Sequence, residues 1–156
     1  MCCPSVTLFC RLSSIKVLHL NGNDPKLYHQ RLTTAQLFAI CESLVGSELT
    51  FIDLSFNDAT PANQHGNPDA ATFGDEAAAT VARLMKQCAS IASVILKGNA
   101  IGPAGTDEIA QALMGDSDHD AVLLKVLVLA DNPIGDDVCA QCCRYITSAT
   151  KCLGVV

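Results

Sequence analysis

The sequence predicts an α/β solenoid in which short parallel strands form a concave face and helices form the convex face. One observation is a nine-residue apolar pattern that ends in Asn and occurs four times along the 156 residues. A second is that each copy is followed by a stretch with helical spacing of apolar residues. A third is the composition, which is 49% hydrophobic but only 4% aromatic, so that the core must be largely aliphatic. A fixed internal repeat of this kind is typical of solenoids.

Each copy of the pattern places apolar residues at its first, fourth and sixth positions and Asn at its ninth. Because variable residues alternate with the apolar ones, each copy predicts a short strand with one buried side. The copies occupy residues 15–23, 49–57, 91–99 and 124–132, and they end at Asn23, Asn57, Asn99 and Asn132. Four copies in the same internal register indicate one repeated structural unit.

The helical segments align with one another when each is anchored on its leading apolar residue. That residue lies 12 positions before the closing apolar residue in each repeat, as from Leu32 to Leu44 and from Ile101 to Leu113. The positions between them form columns, which predict one buried stripe per helix. The columns are Leu37, Ala78, Thr106 and Cys139; Ile40, Val81, Ile109 and Cys142; Cys41, Ala82, Ala110 and Cys143; and Leu44, Met85, Leu113 and Ile146.

Insertions explain why successive asparagines are 34, 42 and 33 residues apart. Residues 24–31 and 58–72 separate strand from helix in the first two repeats, and residues 114–121 follow the third helix. Without them the period is about 28 residues. The first two insertions leave the carboxyl ends of adjacent strands, so we expect them on the same rim, where long loops often carry recognition. The alternative is that the insertions have no function and are tolerated because they do not disturb the core.

These segments resemble the leucine-rich repeat, L-x-x-L-x-L-x-x-N, over nearly the whole chain, and the period is similar to that of the ribonuclease-inhibitor-like class. The resemblance implies a right-handed α/β horseshoe. It also implies a structural ladder in which the asparagine side chains bond the backbone of neighbouring coils. A single domain 1–156 is then divided into repeats at approximately 15–48, 49–90, 91–123 and 124–152, with an N-terminal cap or partial helix 1–14 and a partial fifth strand 153–156.

Residues that flank the buried strand positions are expected on the concave face. Their three rows are Val17, Phe51, Ser93 and Val126; His19, Asp53, Ile95 and Val128; and Asn21, Ser55, Lys97 and Ala130. The rows become apolar toward the C-terminal repeats, with Ile95, Val126 and Val128 close to Phe51. An exposed apolar patch of this kind favours contact with a protein partner. Missing further repeats or sequence drift would also account for it.

The net charge of −6 and the sequence pI near 4.9 disfavour nucleic acid and anionic membranes as partners, and would suit a basic protein. No apolar run approaches the ~20 residues that span a bilayer. The N-terminus lacks the features of a signal peptide, since Arg11 interrupts its apolar run. Nine cysteines are an odd number, which argues against a secreted disulfide framework. We therefore expect a cytoplasmic protein with reduced thiols.

Two sequence segments resemble metal-binding motifs but lack residues that such motifs require. Cys139 and Cys142 form a C-x-x-C, but no second ligand pair follows, and Cys142 and Cys143 fall in buried helix columns. Residues 116–120 begin like a calcium loop, yet Ala121 and Leu127 stand where Gly and Glu are needed. The sequence therefore predicts no catalytic, cofactor-binding or metal-binding residues, and it indicates that the protein is not an enzyme.

The function that the sequence favours is that of a protein–protein interaction scaffold, which binds an unidentified partner through the concave face and the strand-to-helix loops. One alternative is a GTPase-activating regulator resembling the Ran-specific activator, for which Arg31 would be the catalytic arginine. Another is a fragment of a longer repeat protein with no independent role. Residues 153–156 open a fifth strand without a polar cap, which allows self-association through that end as a further partner prediction.

Overall fold

The structure, a computed structural model, describes residues 14–22, 31–57, 73–114 and 124–135, together with the backbone of a short strand at 154–155. Several expectations fall outside the described residues. They are the ninth residue of the first copy, Asn23; the fourth helix, with Cys139, Cys142, Cys143 and Ile146; the N-terminal segment 1–13; and, of the three insertions, residues 24–30, 58–72 and 115–121.

In the part of the chain that the structure describes, five parallel strands form one sheet in the order of the chain. They are β1 (Val17–His19), β2 (Phe51–Asp53), β3 (Ser93–Ile95), β4 (Val126–Val128) and β5 (Gly154–Val155). Equivalent positions of the four sequence copies pair with one another across the sheet. The last strand, β5, pairs with β4 and falls within residues 153–156. The strands are short because the backbone turns immediately after the alternating positions of each copy.

Among the described residues, three helices connect β1 to β4 in succession: α1 (Thr34–Leu44), α2 (Asp75–Gln87) and α3 (Pro103–Met114). Parallel neighbours require such crossovers because the end of one strand and the start of the next lie at opposite edges of the sheet. The helices lie side by side, with α1 against α2 and α2 against α3. The predicted α/β fold with parallel strands is confirmed.

The core is formed by the central residues of the strands and by the helix columns. Ile52, Val94 and Leu127 are the central residues of β2, β3 and β4, and each has 0% exposure. The described column residues that are buried are Leu37, Ala78 and Thr106; Val81 and Ile109; Cys41, Ala82 and Ala110; and Leu44, Met85 and Leu113. Only Ile40 is half-buried. Each helix therefore buries the stripe that the column alignment predicts.

The first repeat lies at the edge of the sheet and is less buried than the next two. Its apolar pattern residues Ile15, Leu18 and Leu20 are only partly buried, although they pack against the core. Ile52, the equivalent of Leu18 in the second copy, is fully buried. The difference follows from the strand order, because β1 has a neighbouring strand on one side only.

The turns after the strands are joined by asparagine side chains. Nδ2 of Asn99 donates to the carbonyl oxygen of Leu96 (3.0 Å) in its own repeat and to that of Leu54 (2.9 Å) in the preceding one. Oδ1 of Asn99 accepts a hydrogen bond from the backbone N–H of Asn57 (2.7 Å). One buried side chain thus satisfies three backbone groups that the sheet does not pair.

Asn132 and Asn57 repeat this geometry on either side. Nδ2 of Asn132 donates to Leu129 and Leu96, each at 2.9 Å, while its Oδ1 accepts from the N–H groups of Asn99 (2.9 Å) and Ile101 (3.0 Å). In the turn of the second copy, Nδ2 of Asn57 donates to the carbonyls of Leu54 and Leu20, at 2.8 and 2.7 Å, and its Oδ1 accepts from the N–H of Leu32 (3.1 Å). Each asparagine therefore ties its own turn to the preceding repeat.

Helices α2 and α3 approach each other closely at Gly105. A Cβ atom added there would lie 2.8 Å from the Cβ of Ala78 and 2.8 Å from the Cα of Asp75. Asp75 is the first residue of α2, and its Oδ1 accepts a hydrogen bond from the N–H of Gly102 (2.7 Å), just before α3 begins. The starts of the two helices are therefore held together by close packing and by a hydrogen bond to a carboxylate.

We expect Asn99→Ala to lower the free energy of unfolding by about 3 kcal/mol, because three buried backbone groups lose their partner and each orphaned group costs about 1–3 kcal/mol. Asn132→Ala is the matched comparison. Asn132 bonds at least four backbone groups but is half-buried, so water can replace part of its bonding and the loss for each bonded group should be smaller. Equilibrium unfolding in urea, followed by circular dichroism, measures both. An equal loss per bonded backbone group in the two variants would contradict the role of burial.

We expect Gly105→Ala to destabilise the fold by about 1–3 kcal/mol, because the added methyl group meets backbone that cannot move away cheaply. Gly102→Ala is its control, since a Cβ there meets only the side chain of Asp75, at 3.4 Å. Thermal unfolding should show a lower midpoint for Gly105→Ala than for Gly102→Ala. The reverse order would show that α2 and α3 are not closely packed at Gly105.

Candidate functional site

The sheet surface opposite the core, which we call the open face, is formed by side chains that alternate with buried strand residues. In β2, Ile52 is buried while Phe51 and Asp53 are half-buried, and β3 alternates in the same way. The open face contains the three rows predicted from sequence: Val17, Phe51, Ser93 and Val126; His19, Asp53, Ile95 and Val128; and Asn21, Ser55, Lys97 and Ala130. The pairing of equivalent residues brings the members of each row next to one another.

The first row exposes aliphatic side chains at both ends. Val17 on β1 is 55% exposed and Val126 on β4 is 40% exposed. Phe51 and Ser93 lie between them and are half-buried. The ring of Phe51 also contacts the imidazole of His19, with 4.9 Å between the ring centroids. This row therefore presents apolar surface to solvent across the described sheet.

The second row divides the open face into a polar and an apolar half. His19 and Asp53 lie on β1 and β2, whereas Ile95 and Val128 lie on β3 and β4. His19 is exposed, and the other three residues are half-buried. The boundary between the two halves thus runs between β2 and β3.

Asp53 is the centre of the polar half. Its Oδ1 accepts hydrogen bonds from the N–H (3.0 Å) and the hydroxyl (2.6 Å) of Ser55. Its Oδ2 accepts one from Nδ2 of Asn21 at 3.4 Å and lies 3.8 Å from Nδ1 of His19. The side chain of Asp53 is only 14% exposed. A carboxylate with little exposure is therefore held on the open face by donors from the turns after β1 and β2.

Ser55 differs from the sequence expectation. It was expected to contribute to the exposed surface in the third row, but it is only 4% exposed. Its hydroxyl donates its hydrogen bond to the carboxylate of Asp53. Ser55 therefore supports the polar half of the open face without presenting its own side chain to a partner.

Lys97, in the third row, contacts residues of the turns that follow the strands. Its Nζ lies 3.3 Å from Oδ2 of Asp131 and 5.7 Å from the centre of the Phe56 ring. Phe56 and Asp131 were not among the sequence-predicted surface residues. Both have positive φ, 56° and 58° respectively. The sequence does contain a signal for the left-handed conformation of Phe56. Phe56 occupies the same turn position in the second copy as Gly98, with φ of 65°, in the third.

The catalytic arginine of the GTPase-activator hypothesis stays a prediction. Arg31 is half-buried and directly precedes Leu32, whose N–H bonds to Asn57 at the carboxyl end of the sheet. The predicted loop residues 24–30 and 58–72 lie outside the described residues, as do three of the four histidines. The described structure therefore does not test a recognition role for the two loops.

Cysteine in the described residues serves core packing. Cys41 and Cys88 are both buried and unpaired, and Sγ of Cys88 contacts the carbonyl oxygen of Leu44 at 3.0 Å. Burial raises the pKa of the Cys41 thiol to about 12, an effect that the nearby positive charge of Arg83 only partly offsets. Within the described ranges, no group of three or more His, Cys, Asp or Glu side chains is arranged to hold a metal ion.

Comparison with solved structures identifies the fold. The actin-binding site 2 of leiomodin-1 superimposes with a TM-score of 0.68 and 16% sequence identity, over 97% of this chain and 76% of that one. The tropomodulin C-terminal domain of Caenorhabditis elegans gives a TM-score of 0.66 and 10% identity, over 97% and 80% of the two chains. The fold is leucine-rich-repeat-like. No family model and no curated protein matches the sequence.

At 10–16% identity the likeness extends to the fold and not to individual side chains. Among the helices that the structure describes, none is long and apolar enough to cross a membrane. The open face is therefore characterised by its own residues: an exposed apolar row, a carboxylate with neutral donors, and a lysine tied to the rim.

We expect the stability that Cys41 contributes to fall at alkaline pH. Its pKa is about 12 in the folded state, while an ordinary thiol titrates near pH 9, so its contribution is complete below pH 9 and is lost as the pH rises toward 12. The difference in unfolding free energy between wild type and Cys41→Ala should shrink by about 1.4 kcal/mol per pH unit above pH 9. Urea unfolding in the presence of a reductant measures this difference.

Leu37→Ala is the control for this experiment, because it removes a buried side chain that does not titrate. The unfolding free energy of Leu37→Ala should fall with rising pH by the same amount as that of wild type, since both retain Cys41 and lose the same stability. The difference between wild type and Leu37→Ala should consequently stay constant across the range. A constant difference for Cys41→Ala as well would contradict the raised pKa.

Proposed function

We propose that this chain is a protein-binding module of the ribonuclease-inhibitor-like leucine-rich-repeat class, which engages a protein partner through the open face. The observation that carries the proposal is the first row, where Val17 and Val126 expose 55% and 40% of their surface on either side of Phe51. Burying such surface against a partner is favourable, at about 25 cal/mol per Å² removed from water. The proposal assigns no catalytic role to the chain.

The finer features of the fold are part of the same proposal. A right-handed horseshoe would make the open face its concave surface, and the repeats would run at approximately 15–48, 49–90, 91–123 and 124–152. In-register pairing and the asparagine bonds between successive turns support a continuous stack of repeats. The unpaired buried thiols of Cys41 and Cys88 support a reducing compartment, in line with the cytoplasm.

Apolar groups on the helix side form a weaker alternative surface. Phe38 is 44% exposed, but the guanidinium of Arg83 lies over its ring at 4.6 Å and is itself 3.2 Å from Glu42. Val45 and Met114 are exposed singly, after α1 and at the end of α3. Because the aromatic ring is covered by a charged group, the open face is the better candidate for binding a protein.

Actin is the first partner to test, because a structure with the same fold is an actin-binding site of leiomodin-1. We expect purified chain to bind fluorescein-labelled monomeric actin or to cosediment with actin filaments. Val126→Asp should weaken that binding at least tenfold, because a charge would be buried in an apolar contact. Fluorescence anisotropy and cosedimentation give the two affinities.

Val45→Asp is the matched control, since Val45 is 46% exposed but lies just after α1, away from the open face. It should bind like wild type, and circular dichroism should show that both variants are folded. Equal weakening by the two substitutions would contradict binding through the open face. No binding of either actin form would exclude actin as the partner.

A further inference from the structure

Resting on the proposed function, we propose that the open face selects a protein segment that carries a basic side chain next to aliphatic ones. The basic side chain pairs with the carboxylate of Asp53. The aliphatic side chains cover Ile95, Val126 and Val128. Asp53 is thus the residue that selects the basic side chain, whichever protein supplies the segment.

The first step is that Asp53 has no permanent positive charge among its described partners. Ser55 and Asn21 are neutral donors, and the imidazole of His19 is charged only when protonated. The contacts to Oδ2, at 3.4 and 3.8 Å, are longer than a charge-assisted hydrogen bond, which is about 2.7–2.9 Å. Oδ2 therefore has capacity for a stronger donor supplied from outside.

The second step is that the lysines beside the open face are directed elsewhere. Lys97 lies in the third row, but its ammonium is 3.3 Å from Asp131 and sits over the Phe56 ring. Lys16, which precedes β1, is 3.5 Å from Glu48. Because these cations have acidic partners of their own, the negative charge of Asp53 is left for a ligand. The net charge of −6 adds a long-range attraction for a basic partner.

The third step is the arrangement of the second row. Asp53, Ile95 and Val128 are paired neighbours on β2, β3 and β4, so the carboxylate and the last aliphatic side chain are about 10 Å apart. An extended peptide places alternate side chains on one side about 6.6 Å apart. A peptide that crosses the strands with a basic residue on Asp53 therefore places its residue two positions later, about 6.6 Å away, between Ile95 and Val128. Its residue four positions later, about 13 Å away, lies at the far edge of the apolar half, just beyond Val128.

The test uses two synthetic peptides, acetyl-Arg-Ala-Val-Ala-Leu-amide and the same peptide with Glu in place of Arg. Each is titrated into the full ¹⁵N-labelled chain, and amide shifts report the site and the dissociation constant. We expect the arginine peptide to shift the amides of β2, β3 and β4 and to bind at least tenfold more tightly than the glutamate peptide. Asp53→Asn should remove that preference, and Glu76→Gln, an acid on the exposed side of α2, should retain it.

His19→Lys provides a second variant that leaves the hydrogen bonds from Ser55 to Asp53 in place. The variant puts a permanent cation beside Asp53, so it should weaken binding of the arginine peptide by a similar factor. His19→Gln should leave that binding unchanged. This variant keeps the inference testable if Asp53→Asn fails to fold.

Equal affinity for both peptides would overturn the inference while leaving the proposed function standing, provided that Val126→Asp still weakens actin binding at least tenfold. No binding of either peptide would also overturn it, and the actin experiment then decides the proposed function separately. Dimerisation of the chain alone that is lost in Val126→Asp, seen by sedimentation equilibrium, would overturn it too, because a second copy would then occupy the open face.

Discussion

In the turns after the strands, the side chains of Asn57, Asn99 and Asn132 bond backbone groups that the sheet leaves unpaired, among them the N–H groups of Asn57 and Asn99 and the carbonyls of Leu54 and Leu96. Each amide donates to carbonyls in two successive repeats and accepts an N–H from the preceding one. Backbone hydrogen bonds continue the pairing beyond the short strands, as from the N–H of Phe56 to the carbonyl of Lys97 (2.8 Å). The asparagine bridges add to them in fixing how one repeat sits on the next. Every other feature of the molecule depends on that registration.

The open face is the clearest consequence. With turns tied together at equivalent positions, Phe51 must lie beside Ser93, and Asp53 beside Ile95. Residues that are 32 to 42 positions apart in the sequence therefore become neighbours, as in the contacts of Asp53 with Asn21 and of the Asn57 backbone with Asn99. A surface with a polar and an apolar half follows from which residue each copy carries at the two exposed positions of its strand.

The helix layer follows the same stacking but adapts to local differences. Gly105 lets α3 lie close against α2, and Asp75 at the start of α2 accepts a hydrogen bond from the N–H of Gly102, just before α3. Between α1 and α2 the contact is partly through surface groups, with Arg83 placed over Phe38 and beside Glu42. The first repeat also keeps Ile15, Leu18 and Leu20 only partly buried, because nothing in the sheet lies beyond β1.

The sequence by itself determined the repeat, the α/β class, the buried columns and the three rows of the open face, because a fixed pattern of apolar residues dictates which side chains are buried and which strands align. Only the tertiary structure decided what the polar residues do. Ser55 is buried by its bond to Asp53, Lys97 turns to Asp131, and Phe56 takes a left-handed conformation in its turn. These outcomes depend on side-chain contacts between repeats or within a turn, and the repeat pattern leaves those positions free to vary.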